Sequence, residues 1–221
     1  MAVSTQEQLE ALSDIRSMME QSSRFISLSG LSGIFAGITA LVGAGLAYLR
    51  INNSFSISSE GRILKFGLAK YDVSGDIMAD LMLIALATLI IAIAFGIFFT
   101  TRNARKKNQK IWDSLTKRLV ANLFIPLATG GVFCLILMYR GYVGIIASST
   151  LIFYGVALIN ASKYTLKDIW YLGICQIVLG LLAAMYVGYG LLFWSIGFGV
   201  LHIAYGTYMY VKYESDHDSQ D

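Results

Sequence analysis

Long runs without a charged side chain alternate along this chain with short charged segments. Phe25 to Leu49 contains no Asp, Glu, Lys or Arg, and the same holds for Leu81 to Thr101, Leu119 to Tyr139, Gly141 to Ser162 and Ile169 to Val211. An apolar bilayer core of about 30 Å takes about 20 helical residues. The first four runs are each one span long, and the second is read from Ile77 so that Asp80 falls near its outer end. The last run holds 43 residues, about twice what one helix needs, and Val187-Gly188-Tyr189-Gly190 supplies the glycines for a reversal. The pattern predicts an all-α integral membrane bundle of six transmembrane helices, over about 25–49, 77–101, 119–139, 141–162, 169–186 and 190–211.

Ahead of the spans, residues 1–24 read as a cytoplasmic amphipathic helix. Ser4 and Glu7 fit a capping box, and Leu9, Leu12, Ile15 and Met19 recur at helical spacing. Glu7, Glu10, Asp14 and Glu20 make this segment the opposite of the basic start of a secretory signal. The first span then serves as its own insertion signal. Behind the spans, residues 212–221 form an acidic cytoplasmic tail, in which Asp216, His217 and Asp218 have no rigid scaffold to make them a metal site.

Composition agrees with lipid as the solvent. Of 221 residues 56% are hydrophobic and 14% charged, against about a quarter charged in soluble chains. A net charge of +3 is too small to indicate a nucleic-acid partner. The placement of the basic residues is the informative part. Arg102, Arg105, Lys106, Lys107, Lys110, Lys117 and Arg118 crowd the segment between spans two and three. Putting that segment in the cytoplasm gives twelve Lys and Arg inside and five outside, the latter being Arg50, Arg62, Lys65, Lys70 and Arg140. Both termini are then cytoplasmic. Trp170, Tyr171, Tyr208 and Tyr210 fall at the inner edges, and Tyr139, Tyr142, Tyr186 and Tyr189 at the outer ones, as interfacial aromatics do.

The segments between spans carry weaker signals. Ile111, Trp112 and Leu115 predict a short interfacial helix leading into span three. Asn52, Asn53 and the neighbouring serines predict turns after span one, and Asn52-Asn53-Ser54 matches a glycosylation sequon of low specificity.

Polar residues inside the spans are the candidates for function, since an unpaired polar group in lipid is costly. Gln176 in span five and His202 in span six lie twelve and fourteen residues from the centre of the predicted hairpin, at nearly one depth. The spacing predicts a hydrogen bond between them. The imidazole can act as a proton-responsive group or as a neutral tie between helices. Asp80 and Arg140 are expected near the outer face as a candidate ion pair of spans two and three. Ser29, Gly33 and Gly37 form a small-residue stripe for helix packing, with Gly190, Gly197, Gly199 and Gly206 in similar use on span six. Pro126 sits within span three, and Asn122, Thr129 and Asn160 add further polar positions. Cys134 and Cys175 differ by about 13 Å in depth, too far for a disulfide, and read as packing residues.

No phosphate-binding glycine loop, zinc-protease motif, nucleophile elbow or metal-spaced Cys/His cluster is present. With His202 and His217 as the two histidines, no cofactor or metal and no catalytic residue is expected. Residues 25–139 and 141–211 lack the self-similarity of inverted repeats. Two stretches, Ser23 to Gly33 and Asp168 to Cys175 onward to His202, resemble a group of uncharacterised bacterial multi-pass inner-membrane proteins, over nearly the whole chain. The resemblance implies a bacterial inner membrane and no assigned activity. The leading expectation is a non-enzymatic scaffold, sensor or regulatory partner. Besides the lipid bilayer, it would contact a protein or a second copy through the N-terminal helix and the basic loop 102–118. The alternative is a small transporter or channel-like protein using polar residues of spans three, five and six.

Overall fold

The computed structural model describes residues 29–57, 75–106 and 112–213. The predicted N-terminal helix, most of the segment after span one, the middle of the basic loop and the acidic tail lie outside the described residues. Six helices are long and apolar enough to cross a membrane. They are α1 (Gly30–Ile57), α2 (Gly75–Lys106), α3 (Ser114–Tyr139), α4 (Ile146–Ala161, entered through a 3-10 turn at Val143–Ile145), α5 (Asp168–Met185) and α6 (Gly190–Tyr213). No strand occurs among the described residues. The expected hairpin is present: Gly188 turns between α5 and α6 at φ 113°, a conformation that glycine adopts freely. Gly141, at φ 80°, does the same between α3 and α4.

Three boundaries differ from the hydrophobic pattern. α1 runs on through Asn52 and Asn53 to Ile57, where turns were expected. The 32 residues of α2 include Arg102, Arg105 and Lys106, so the helix is longer than the apolar core it crosses. No separate interfacial helix precedes α3 among the described residues, because Leu115 lies in its first turn. Hydropathy marks where charge ends. The backbone marks where capping begins, and for α3 that is Asp113, whose carboxylate accepts the Thr116 N–H at 2.7 Å.

That bond holds the Asp113 carboxyl below its usual range, since accepting a backbone N–H favours the ionised form. Its stabilisation is therefore present above the unfolded carboxyl pKa and is lost as pH falls through the lower folded value. Asp113→Ala should cost about 1 kcal/mol, and Asp113→Asn should keep most of the cap while removing its acid dependence. Unfolding followed by circular dichroism in detergent across the acid range reads both. Equal stability of Asp113→Ala and the parent at neutral pH would refute the cap.

The helices do not pack in chain order. α2 lies against α1, α1 against α6, α6 against α4 and α5, and α4 against both α5 and α3. The chain neighbours α2 and α3 therefore occupy different flanks. On α2, Leu83, Leu86, Ile90, Ile93 and Ile97 are all exposed, a surface that water would reject and lipid tails accept. Phe35 of α1 stacks on Phe99 and meets Phe95 at a tilt, which seats α2. Trp170, Tyr171, Tyr139 and Tyr186, expected at the membrane edges, are exposed at helix ends.

Close approach at glycine sets the central contacts. A Cβ on Gly33 would lie 3.1 Å from the Gly206 Cα, and one on Gly37 2.7 Å from the Gly199 carbonyl oxygen, so the stripe following the buried Ser29 faces α6. α4 and α5 also cross closely, with a Cβ on Gly155 falling 2.6 Å from the Gly173 carbonyl oxygen. With no hydrophobic force between helices in lipid, such backbone proximity provides the dispersion contacts that hold them together.

The polar helix ends are stitched in pairs. Arg50 Nε donates to Asp80 Oδ2 at 2.6 Å, joining α1 to α2. This corrects the expected Asp80–Arg140 pair, because α3, which ends at Arg140, packs on α4 and not beside α2. At the other polar end Lys212 Nζ donates to Asp168 Oδ2 at 2.8 Å, and the Tyr213 hydroxyl donates to the same oxygen at 2.9 Å. The first turn of α5 is thereby tied to the last turn of α6. Both cysteines are free; Cys134 is half-buried, whereas Cys175 is exposed and does not pack in the interior.

Candidate functional site

The backbone of α6 departs from α-helical winding in its middle. Gly190–Trp194 is α-helical, Ser195–Leu201 is a π-helix, and His202–Tyr213 is α-helical again. A π turn holds one more residue than an α turn and widens the helix locally. Two glycines, Gly197 and Gly199, lie inside it, and both are buried.

Four groups from three helices converge on this turn. His202 Nδ1 lies 2.9 Å from the Gly197 carbonyl oxygen. A carbonyl only accepts, so Nδ1 carries the ring hydrogen. Nε2 is then the acceptor and takes the Tyr154 O–H from α4 at 2.7 Å. From α5, Gln176 Nε2 donates to the same Gly197 oxygen at 2.8 Å. The Gly197 carbonyl thus serves two side-chain donors, and the imidazole is neutral with both nitrogens engaged. Gln176 is fully buried and His202 nearly so.

The predicted pair is therefore brought together, but not by the bond the spacing implied. Gln176 Nε2 and His202 Nδ1 stand 3.5 Å apart. Both are donors here, and what joins them is the carbonyl they share. Sequence reasoning missed Tyr154 and the Gly197 carbonyl. A signal existed for the first: Tyr154 sits mid-run in span four, unlike the tyrosines at span edges. No residue letter reports a backbone carbonyl that accepts from side chains.

Gly197 is required sterically as well. A Cβ there would fall 2.6 Å from Gln176 Oε1 and would also strike Leu151, one of the fully buried side chains. The Oε1 atom is buried and has no hydrogen-bond partner among the described residues. Aromatic rings wall the imidazole, with centroids 5.3 Å away at Tyr154 and 5.8 Å at Phe198, which itself packs on Trp194 at 4.9 Å.

The other polar positions do not join this cluster. Asn122 and Thr129 of α3 bond the carbonyls of Arg118 and Ile125, four residues back on their own helix. Asp80 and Arg140 belong to other parts of the bundle, whereas Gly33 and Gly37 of the small-residue stripe back the turn from α1, against the carbonyls of His202 and Gly199, without adding a polar side chain. No group of three His, Cys, Asp or Glu side chains able to hold a metal occurs among the described residues. Chemically, the arrangement can orient one neutral imidazole and tie α5 to α6 through the Gly197 carbonyl and α4 to α6 through the imidazole. No family model, curated protein or solved structure matches the chain.

Proposed function

We propose that this chain is a non-enzymatic membrane scaffold, sensor or regulatory partner, acting through protein contacts and not by conducting a solute. The observation that carries the reading is the arrangement of Tyr154, His202 and Gln176, which engage one another and the Gly197 carbonyl in the buried interior. Polar groups that line a path face water or substrate; these three hold α4, α5 and α6 together. Its membrane is proposed to be a bacterial plasma membrane, with both termini in the cytoplasm. Twelve against five lysines and arginines support that orientation. The acidic N-terminal segment and the basic segment 102–118 are the proposed contact surface for a second copy or a protein partner.

One observation favours the transport alternative, namely Gln176 Oε1, a buried acceptor free to meet a passing donor. The two readings separate in proteoliposomes and native membranes examined side by side. On the regulatory reading, cross-linking in the native membrane yields a discrete adduct that is lost when residues 2–20 are removed. Vesicles containing the protein then pass ions and small solutes no faster than protein-free vesicles. A flux that is present in the parent and abolished by His202→Ala would overturn this reading in favour of transport.

A further inference from the structure

The π turn of α6 is secured from outside its own helix. Its Gly197 carbonyl takes one donor from α5 and one from the His202 side chain five residues on, and His202 is itself held from α4 by Tyr154. The arrangement leaves Gln176 Oε1 buried without a donor, which is costly, and so narrows the gap to any form that satisfies it. In α-helical winding the Gly197 carbonyl would pair with the backbone N–H four residues on in place of the π-helical partner five residues on, and would be re-aimed. The Gln176 amide would then be free to turn, and Oε1 could reach a donor. Gly197 and Gly199 give this turn a backbone freedom that residues with a Cβ would lack.

We propose that the π turn at Ser195–Leu201 is a two-state element, latched by Gln176, His202 and Tyr154, that sets the rotation of the α6 segment His202–Tyr213. Rewinding the turn by one residue rotates everything beyond it by about 100° and shifts it by about 1.5 Å along the axis. That movement carries Met209 out of the core, takes Gly206 off the α1 backbone, and breaks the Lys212–Asp168 pair. A change at the intramembrane cluster is thereby transmitted to the polar end of the bundle. The proposal rests on the regulatory reading, but its test reads backbone conformation and not flux, so either can fail alone.

Backbone NMR of the isotopically labelled full chain in lipid nanodiscs is the test, comparing the parent with Gln176→Leu and the gentler Tyr154→Phe. Loss of one latch bond should change the ratio of the two forms about fivefold. It should be seen as a coordinated change or a second set of resonances across residues 195–213, reaching Tyr208 and Lys212. Deleting Val200, an exposed residue of the π turn, removes the extra residue without altering the register on either side. In that background Tyr154→Phe should leave Tyr208 and Lys212 unmoved. If Gln176→Leu does not fold, Tyr154→Phe decides alone. Changes confined to the immediate neighbours of the substituted residue, or identical with and without Val200, would overturn the latch.

Discussion

Gly155→Leu should separate α4 from α5 and remove most of the stability of the bundle, with Gly155→Ala showing a milder form of the same defect. The reason is that the obstacle is backbone. A Cβ on Gly155 falls 2.6 Å from the Gly173 carbonyl oxygen and 2.7 Å from Ile177 Cγ1, and a Cβ on Gly173 falls 2.9 Å from the Gly155 carbonyl oxygen. A side chain can change rotamer, but a helical carbonyl can yield only if the helix moves. Alanine should cost about 1–3 kcal/mol through overpacking, which exceeds the gain of under about 1 kcal/mol from better helix propensity. Leucine adds three more carbons to the same seam. Against a total stability of about 5–15 kcal/mol, that is a large fraction. Gly131, with open space where its Cβ would lie, is the control, and Gly131→Ala should be neutral or slightly stabilising. Thermal unfolding in detergent reads all three, and equal midpoints for Gly155→Ala and Gly131→Ala would refute the close crossing.

His202→Leu should be the second most damaging change. It strands the Tyr154 hydroxyl, whose acceptor is the imidazole, and takes one of two donors from the Gly197 carbonyl. Each buried polar group left unpaired costs about 1–3 kcal/mol. Tyr154→Phe strands one atom, His202 Nε2, and should cost about 0.6–1.5 kcal/mol, the range of hydrogen bonds between membrane helices. The two losses should not add, since the double variant removes donor and acceptor together. Equilibrium unfolding of both single variants and the double variant gives the comparison, and a fully stable His202→Leu would remove the cluster from any structural role.

Residue letters disclose some features of this bundle and hide others. Six spans were legible because charge-free runs have a length set by the bilayer, and the 43-residue run could divide only where Gly188 turns the chain. The common depth of Gln176 and His202 followed from counting along two antiparallel helices. Packing order was not legible. Asp80 and Arg140 are on consecutive spans, yet Asp80 is held by Arg50, because helices in lipid settle by surface fit and not by chain order. The stripe of Gly33 and Gly37 showed in the sequence by its spacing. The crossing of Gly155 with Gly173 did not, since each helix contributes one glycine and the match exists only between them. The Gly197 carbonyl escaped for a related reason, since a π turn is a backbone event without a residue code, whereas the mid-span position of Tyr154 was a legible signal.

Tyr154, His202 and the Gln176 amide N–H form a structural tie within the membrane, with Gln176 Oε1 left over. The most direct test is the coupling free energy between Tyr154 and His202, taken from a double-mutant cycle of reversible unfolding in bicelles, with Tyr154→Phe and His202→Leu as the single variants. The tie predicts a favourable coupling of about 0.6–1.7 kcal/mol. A coupling indistinguishable from zero, with each variant as stable as the parent, would contradict it.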